Sequence, residues 1–452
     1  MEDLVPSHPR VPGSPLQRWS PRRRRRWRTP TSPSTIRRRS HLRRRACSPL
    51  SPRSIRTRSS GASPSATPCV RTSVLSRGWR RRWESVPGLA LSFPDGTPPG
   101  VVDGVLLCHT GGSFSRFAFV VDDASASGRW LVALSRRGVH SIDLRRRLPN
   151  REGLLPFTLH SSIFSCTHLV SLHLEDISLP PLPVGFAGFP VLEDLYLSEI
   201  TLPPDREGQL QAIIHGSPLL RVLYLEYVRY PVGGCVIEAP NLHSLTLIVP
   251  FNDDWRFGEL PCLHDACIEI DEYYEATRNG YSKKSPHFGE LLARVAQVEE
   301  LTLRSPWYVE VKIDMTPFTF YNLKSLELSM DQMSVMFCLL KSSPNLERLK
   351  AECGHYQDVN WELLSAQWTD GMCSNLQDVQ INSCGWVHPM PFIKLILSKA
   401  SRLHTLSLNG CPVSQDDPLN ELLTCTRASA ECQILFKDGL EGIRFRRDVA
   451  YG

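Results

Sequence analysis

The chain has 452 residues, 41% hydrophobic and 22% charged, and its 52 Lys and Arg against 46 Asp and Glu give a net charge of +6. That is enough apolar material for a sizeable core, yet no run approaches the roughly 18 uncharged apolar residues that span a bilayer. The mean charge hides a division: residues 1–68 hold 17 Arg, no Lys and two acids, so they carry +15 while the rest sums to −9.

Pro6, Pro9, Pro12 and Pro15 interrupt the N-terminus where a secretory signal would need an apolar core. The 14 Cys show no regular pairing. A reducing compartment, nucleus or cytoplasm, is the expectation.

Residues 1–68 contain 11 Pro, 13 Ser and the clusters Arg22–Arg26, Arg37–Arg39 and Arg43–Arg45. So little apolar area cannot offset about 1–2 kcal/mol of backbone entropy per residue, and the segment is expected to be disordered in isolation. Three readings stand. It is a solvated basic tail, a nuclear-localisation or RNA-binding arm, or GC-rich codons read out of frame. The total absence of Lys beside so many Arg, and the abrupt change at Pro68/Cys69, favour the third.

A short basic amphipathic helix is expected within residues 69–96. Val70, Val74 and Leu75 sit at helical spacing, Trp79 and Trp83 are four apart, and Pro87 and Gly88 end the run. Such a helix is too short to stand alone. The stretch Cys69-Val-Arg-Thr-Ser-Val-Leu-Ser-Arg, with both tryptophans, resembles the second half of the plant F-box. The Leu/Pro-rich first half is replaced here by Ser, Pro and Arg, so the F-box is incomplete. The resemblance implies that Val70, Val74, Leu75, Trp79 and Trp83 face a Skp-type adaptor. The alternative is a tryptophan-stapled helix that caps the region downstream.

From roughly residue 130 onward an L-x-x-L-x-L pattern recurs, and the repeat array is assigned to residues 97–374. Its units, continued beyond that boundary, start at Val139, Leu169, Leu192, Leu220, Leu242, Leu263, Val298, Leu323, Leu346, Leu376 and Leu403. Within each unit the second and third apolar residues are two apart, so a short strand sends both to one side. Three buried aliphatics give about 5–9 kcal/mol at about 1.5–3 each, less than ordering a whole unit costs. Only stacking closes that gap, which predicts a solenoid with a parallel strand wall and helical or irregular returns. The widest step follows Leu263 and contains Asn279-Gly280 and Lys283-Lys284, an expected exposed loop. Cys384 and Cys411 are expected to pack in the core.

Residues Leu155–Leu179 and Phe189–Leu202 resemble plant leucine-rich-repeat proteins of the F-box type. The stretches MPFIKLILSKASRLHTLSL and ELLTCTRASAECQILF, within residues 375–436, resemble the FBD region that such proteins carry, and residues 437–452 follow as a tail. The expected class is therefore α/β, a leucine-rich-repeat solenoid.

No HExxH, GxSxG, GxxxxGK[ST] or CxxC occurs, so neither catalysis nor a cofactor is expected. Cys262, His264 and Cys267 lack a fourth ligand and are not read as a metal site. The informative residues flank the second apolar position of each unit, on the concave side of the wall. They include Asp143, Asp194, Asp265, Glu300, Glu327 and Asp378, against Arg348 and Lys350, with His173 as a contact residue. Tyr196 and Tyr224, on adjacent units, offer rigid aromatic anchors. A protein-recognition groove, acidic over much of its length, is expected; a solvated strand face is the plainer alternative. The resemblance implies a non-catalytic substrate-receptor subunit of a Skp–cullin–F-box ubiquitin ligase with an unknown protein target. Two rivals are a repeat scaffold that engages no ligase and a protein that holds nucleic acid through the Arg arm, the latter disfavoured.

Overall fold

The structure is a computed structural model that describes residues 82–445, apart from 122–123, 147–156, 204–207, 229–234, 251–254, 272–287, 306–317, 330–332, 354–364, 367, 369–370, 384–389, 411–419, 423 and 439–440. Residues 1–68, the F-box-like positions Val70, Val74, Leu75 and Trp79, the 279–284 loop, Cys384 and Cys411 lie outside the described residues.

The strands are β1 (Leu89–Ser92), β2 (Phe114–Val121), β3 (Ser141–Arg146), β4 (Ser171–Glu175), β5 (Asp194–Ser198), β6 (Val222–Glu226), β7 (Cys235–Ile237), β8 (Ser244–Pro250) and β9 (Trp255–Phe257). They continue as β10 (Asp265–Asp271), β11 (Glu300–Arg304), β12 (Ser325–Ser329), β13 (Arg348–Cys353), β14 (Asp378–Ser383), β15 (Thr405–Asn409), β16 (Gln433–Asp438) and β17 (Glu441–Phe445). The helices are α1 (Pro99–Cys108), α2 (Ala124–Arg136), α3 (Gln209–His215), α4 (Phe288–Arg294), α5 (Met333–Lys341) and α6 (Met390–Lys399).

Fifteen strands form one sheet, in chain order except that β7 and β9 leave it to pair with each other. All neighbours in the large sheet are parallel except β16 and β17. The eleven leucine-patterned units supply β3 to β6, β8 and β10 to β15, one strand each. Their register is exact to the residue: Ile142, Leu172, Leu195, Leu223, Leu245 and Ala266 are successive partners across the wall. Stacking like on like buries these rows almost completely, and Leu169, Leu192, Leu220 and Leu242, which open their units, are fully buried beneath them. The core is therefore one continuous sheet of aliphatic contacts.

The wall begins earlier than the leucine pattern does. β1 and β2 pair in parallel with each other and β2 with β3, so the sheet starts at Leu89, not after residue 97. Here Phe117 and Phe119 occupy inward positions, and they pack with Phe93 and Trp130 at centroid distances of 4.7–6.2 Å. The indole Nε1 of Trp130 donates to Asp103 at 2.7 Å, which fastens α2 to α1. Of the expected helix, the described part is a 3₁₀ turn at Arg82–Ser85 in which Trp83 is buried. Gly88, at φ +64°, then turns the chain into β1. Within residues 437–452, Glu441–Phe445 form β17, antiparallel to β16.

Returns behind the leucine-patterned strands are mixed. Those through α3 to α6 are helical, whereas others run extended, with Ser178 bridging Thr158 and Thr201. At several turns before a strand an asparagine ties consecutive repeats. Asn241 donates to the Pro218 carbonyl at 2.8 Å, Asn345 to Tyr321 at 2.8 Å and Asn375 to Pro344 at 3.1 Å. These amides satisfy turn carbonyls that no strand partner reaches.

Candidate functional site

Because the inward residues alternate with outward ones, every strand presents its odd positions to the opposite face. Exact register then lines those positions up in three rows, with neighbours about 4.8 Å apart. The middle row runs Asp143, His173, Tyr196, Tyr224, Thr246 and Cys267, strand by strand. It continues through Thr302 to Glu327 and Lys350. Asp194, Asp265, Glu300 and Asp378 belong to the row on the strands' N-terminal side. All nine residues expected to contact a target therefore share one face.

Their surroundings divide the face into three parts. At the β3 end, Asp143 is buried and accepts from Arg116 at 2.9 Å and from Arg145 at 2.9 and 3.3 Å, with the His173 Nδ1 3.7 Å away. Burial pushes its carboxyl up, but the Arg145 hydrogen bond and the charges of His173, Arg145 and Arg116 outweigh that and hold it below the usual range. Burial lowers the His173 imidazole in turn, against the pull of Asp143. This end is a neutralised cluster.

The middle is different. Tyr196 and Tyr224 stack with centroids 5.6 Å apart and planes 27° apart, and His173 lies 5.5 Å from Tyr196 on the other side. Glu226 accepts from the Tyr224 hydroxyl at 3.0 Å and from the Ser198 hydroxyl at 2.7 Å. Asp265 accepts from Ser244 at 2.5 Å. Burial raises the Asp194 carboxyl, and Glu193 adds to it against Arg221. Burial likewise raises Glu175, with Arg145 opposing and Glu199, Glu226 and Asp143 reinforcing. Among the described residues, no Lys or Arg comes within 4 Å of Asp194, Glu226 or Asp265.

Toward β13 the signs balance again. Glu327 is held between Arg304 at 3.0 Å and Lys350 at 2.9 Å, and Glu300 meets Arg348 at 3.3 Å. Arg304 also reaches Glu269 at 3.3 Å. Cations thus pair with Asp143, Glu300 and Glu327, whereas among the described residues Asp194, Glu226 and Asp265 on β5 to β10, and Asp378 on β14, have no Lys or Arg within 4 Å. The sequence pattern singles out only the two positions beside the second leucine. The residue after the third leucine also faces outward, and it supplies Arg145, Glu175, Glu226, Glu269 and Arg304. The L-x-L-[E/R] endings in the sequence carry that signal.

The remaining candidates lie elsewhere. Trp83 is buried in the 3₁₀ turn that precedes β1, not on a strand of the face. Cys262 is exposed, while Cys267 is half-buried in the middle row with its thiol pushed up to about 11, chiefly by burial. His264 is 3.5 Å from Glu299 and 3.9 Å from Asp265. Among the described residues no group of His, Cys, Asp and Glu is arranged to hold a metal ion.

Residues 127–350 match the family model for the leucine-rich repeats of the FBD-associated F-box protein At5g56370. The chain is similar to the F-box/FBD/LRR-repeat protein At1g13570 of Arabidopsis thaliana, 27% identical over 411 residues that cover 82% of this chain and 94% of the relative. It is similar to the FBD-associated F-box protein At1g66310 of the same plant, at 24% identity over 81% of this chain and 90% of the relative. With F-box/LRR-repeat protein 13 the identity is 34%, over 35% of this chain and 36% of the relative.

Proposed function

The chain belongs to the plant F-box, FBD and leucine-rich-repeat proteins, and on that premise we propose that it is the substrate-receptor subunit of a Skp–cullin–F-box-type ubiquitin ligase. The strand face holds a protein target, and the segment around Val70, Val74, Leu75, Trp79 and Trp83 engages the Skp-type adaptor. The protein catalyses nothing itself. Its contribution is proximity, converting an encounter between target and charged ubiquitin carrier into an event within one complex. It works in the nucleus or cytoplasm.

One observation carries the recognition half of this reading: the Tyr196–Tyr224 stack lies within a face whose equivalent positions are held in register over eleven consecutive repeats. Rigid, half-buried aromatics on such a scaffold are good anchors, since little side-chain entropy is lost when a partner covers them. The test of the ligase half is co-precipitation of the full chain with a purified Skp-type adaptor. The expected result is capture that Leu75→Ala and Trp79→Ala abolish. Failure of the unaltered chain to capture the adaptor, with target binding intact, would make it a scaffold outside the ligase.

A further inference from the structure

We propose that the strand face between β4 and β10 docks a basic peptide segment, with an arginine side chain laid over the Tyr196–Tyr224 stack and its guanidinium paired with Glu226. The inference deepens the proposed function and rests on that face being the recognition surface.

Charge and shape on this part of the face point the same way. Its floor is the pair of stacked, half-buried rings; Tyr196 lies between His173 and Tyr224, so the ring face left without an aromatic neighbour among the described residues is that of Tyr224. Asp194 and Asp265 stand on the N-terminal side of that floor, and Glu175 and Glu226 on the C-terminal side. Of the flanking cations, Arg304 is paired with Glu269 and Glu327 and Arg145 chiefly with Asp143, 3.8 Å from Glu175, while Arg221 acts on Asp194 from beyond 4 Å. Glu226 is held in place by two hydroxyl donors, which leaves acceptor capacity on a carboxylate of fixed orientation. The raised carboxyls of Glu175 and Asp194 reflect partly buried charge that a bound cation would relieve.

Arginine fits better than lysine. Its planar guanidinium stacks on an aromatic face and still donates in-plane to a carboxylate, whereas an ammonium acts as a strongly hydrated point charge. Four strand spacings of about 4.8 Å separate β4 from β10, so the acidic stretch is about 19 Å long and matches roughly six residues of extended peptide. Phosphate-bearing ligands are repelled by the same field.

The test uses the purified full-length chain and a fluorescein-labelled dodecapeptide of alternating Arg and Gly, beside Lys–Gly and Glu–Gly peptides of the same length, read by fluorescence anisotropy at about 0.15 M salt, where the Debye length is about 8 Å. Arg–Gly should bind at least about tenfold more tightly than Lys–Gly, and Glu–Gly should not bind. Tyr196→Leu with Tyr224→Leu should erase the preference for Arg over Lys. The near-isosteric Glu226→Gln should weaken Arg–Gly about tenfold, with Glu431→Gln, at an exposed acid off this stretch, without effect. Equal binding of Arg and Lys peptides, equal weakening by Glu431→Gln, or no binding at all would overturn the proposal. If a target's capture still depends on Asp194 and Asp265 while Arg–Gly fails to bind, the ligand class is wrong and the recognition face stands.

Discussion

The Tyr224 hydroxyl donates to the Glu226 carboxylate at 3.0 Å, two residues along the same strand and on the same face. Burial first, and then the charge and hydrogen bond of Glu226, push this phenol well above the ordinary tyrosine range. In an alkaline titration followed by phenolate absorbance, the difference between wild type and Tyr224→Phe should show one tyrosine ionising later than a free phenol. Glu226→Gln should bring that ionisation earlier. A Tyr224 that titrates like an exposed tyrosine would mean that this contact does not form.

Asp143 sets the acid response of the β3 end. Its folded-state carboxyl is held below its unfolded value, with Arg116 and Arg145 as partners. Its contribution is therefore fully present above the ordinary carboxylate range and is lost as pH falls through the depressed folded value. Thermal melts of wild type and Asp143→Asn should differ most near neutral pH and converge in strong acid. A gap that widens on acidification would contradict the assignment.

Glu175 and Asp194 should behave oppositely. Their carboxyls are raised in the folded state, so ionising them opposes folding near neutral pH and the penalty fades as pH falls below their unfolded values. Glu175→Gln should leave the melting temperature at pH 7 unchanged or slightly higher, while binding of a cationic partner falls. Loss of stability at pH 7 would show that Glu175 is structural.

The inward row is where substitution should be most damaging. Leu223 is fully buried and pairs in register with Leu195 and Leu245. Leu223→Ala should cost about 2–5 kcal/mol, the range for aliphatic truncation in a packed core. Arg304→Ala, at an exposed ion pair with Glu327 and Glu269, should cost less than about 1 kcal/mol. Denaturant midpoints would rank the two, and a reversed order would mean that stacking is not what holds the repeats together.

Much of this architecture is legible in the residue pattern alone. Two buried leucines at a spacing of two, preceded by a third, define a strand and its inward side, and each of the eleven units with that signature forms a strand. β1 and β2 escape it because Phe117 and Phe119 replace leucine there, and packing against Trp130 substitutes for the aliphatic ladder. On the candidate face, all nine residues are legible because alternation along a strand is strict. Their pairing is not: Arg116 reaches Asp143 from a strand without the repeat signature, and Arg304 lies beyond the two positions that flank the second leucine. The asparagine ties are also hidden, since Asn241, Asn345 and Asn375 read simply as polar turn residues, and the carbonyls they meet lie more than twenty residues away in the chain.

An acidic, tyrosine-floored recognition face stands or falls on the affinity of the full chain for an identified protein target, measured by calorimetry for wild type and for Asp194→Lys with Asp265→Lys. Asp194 shares β5 with Tyr196 and Asp265 lies two strands from Tyr224 on the same face, both without a Lys or Arg partner within 4 Å among the described residues. The expected result is a loss of at least about tenfold, roughly 1.4 kcal/mol, with the melting temperature unchanged or higher. Unchanged affinity in a folded variant would mean that the target is held elsewhere.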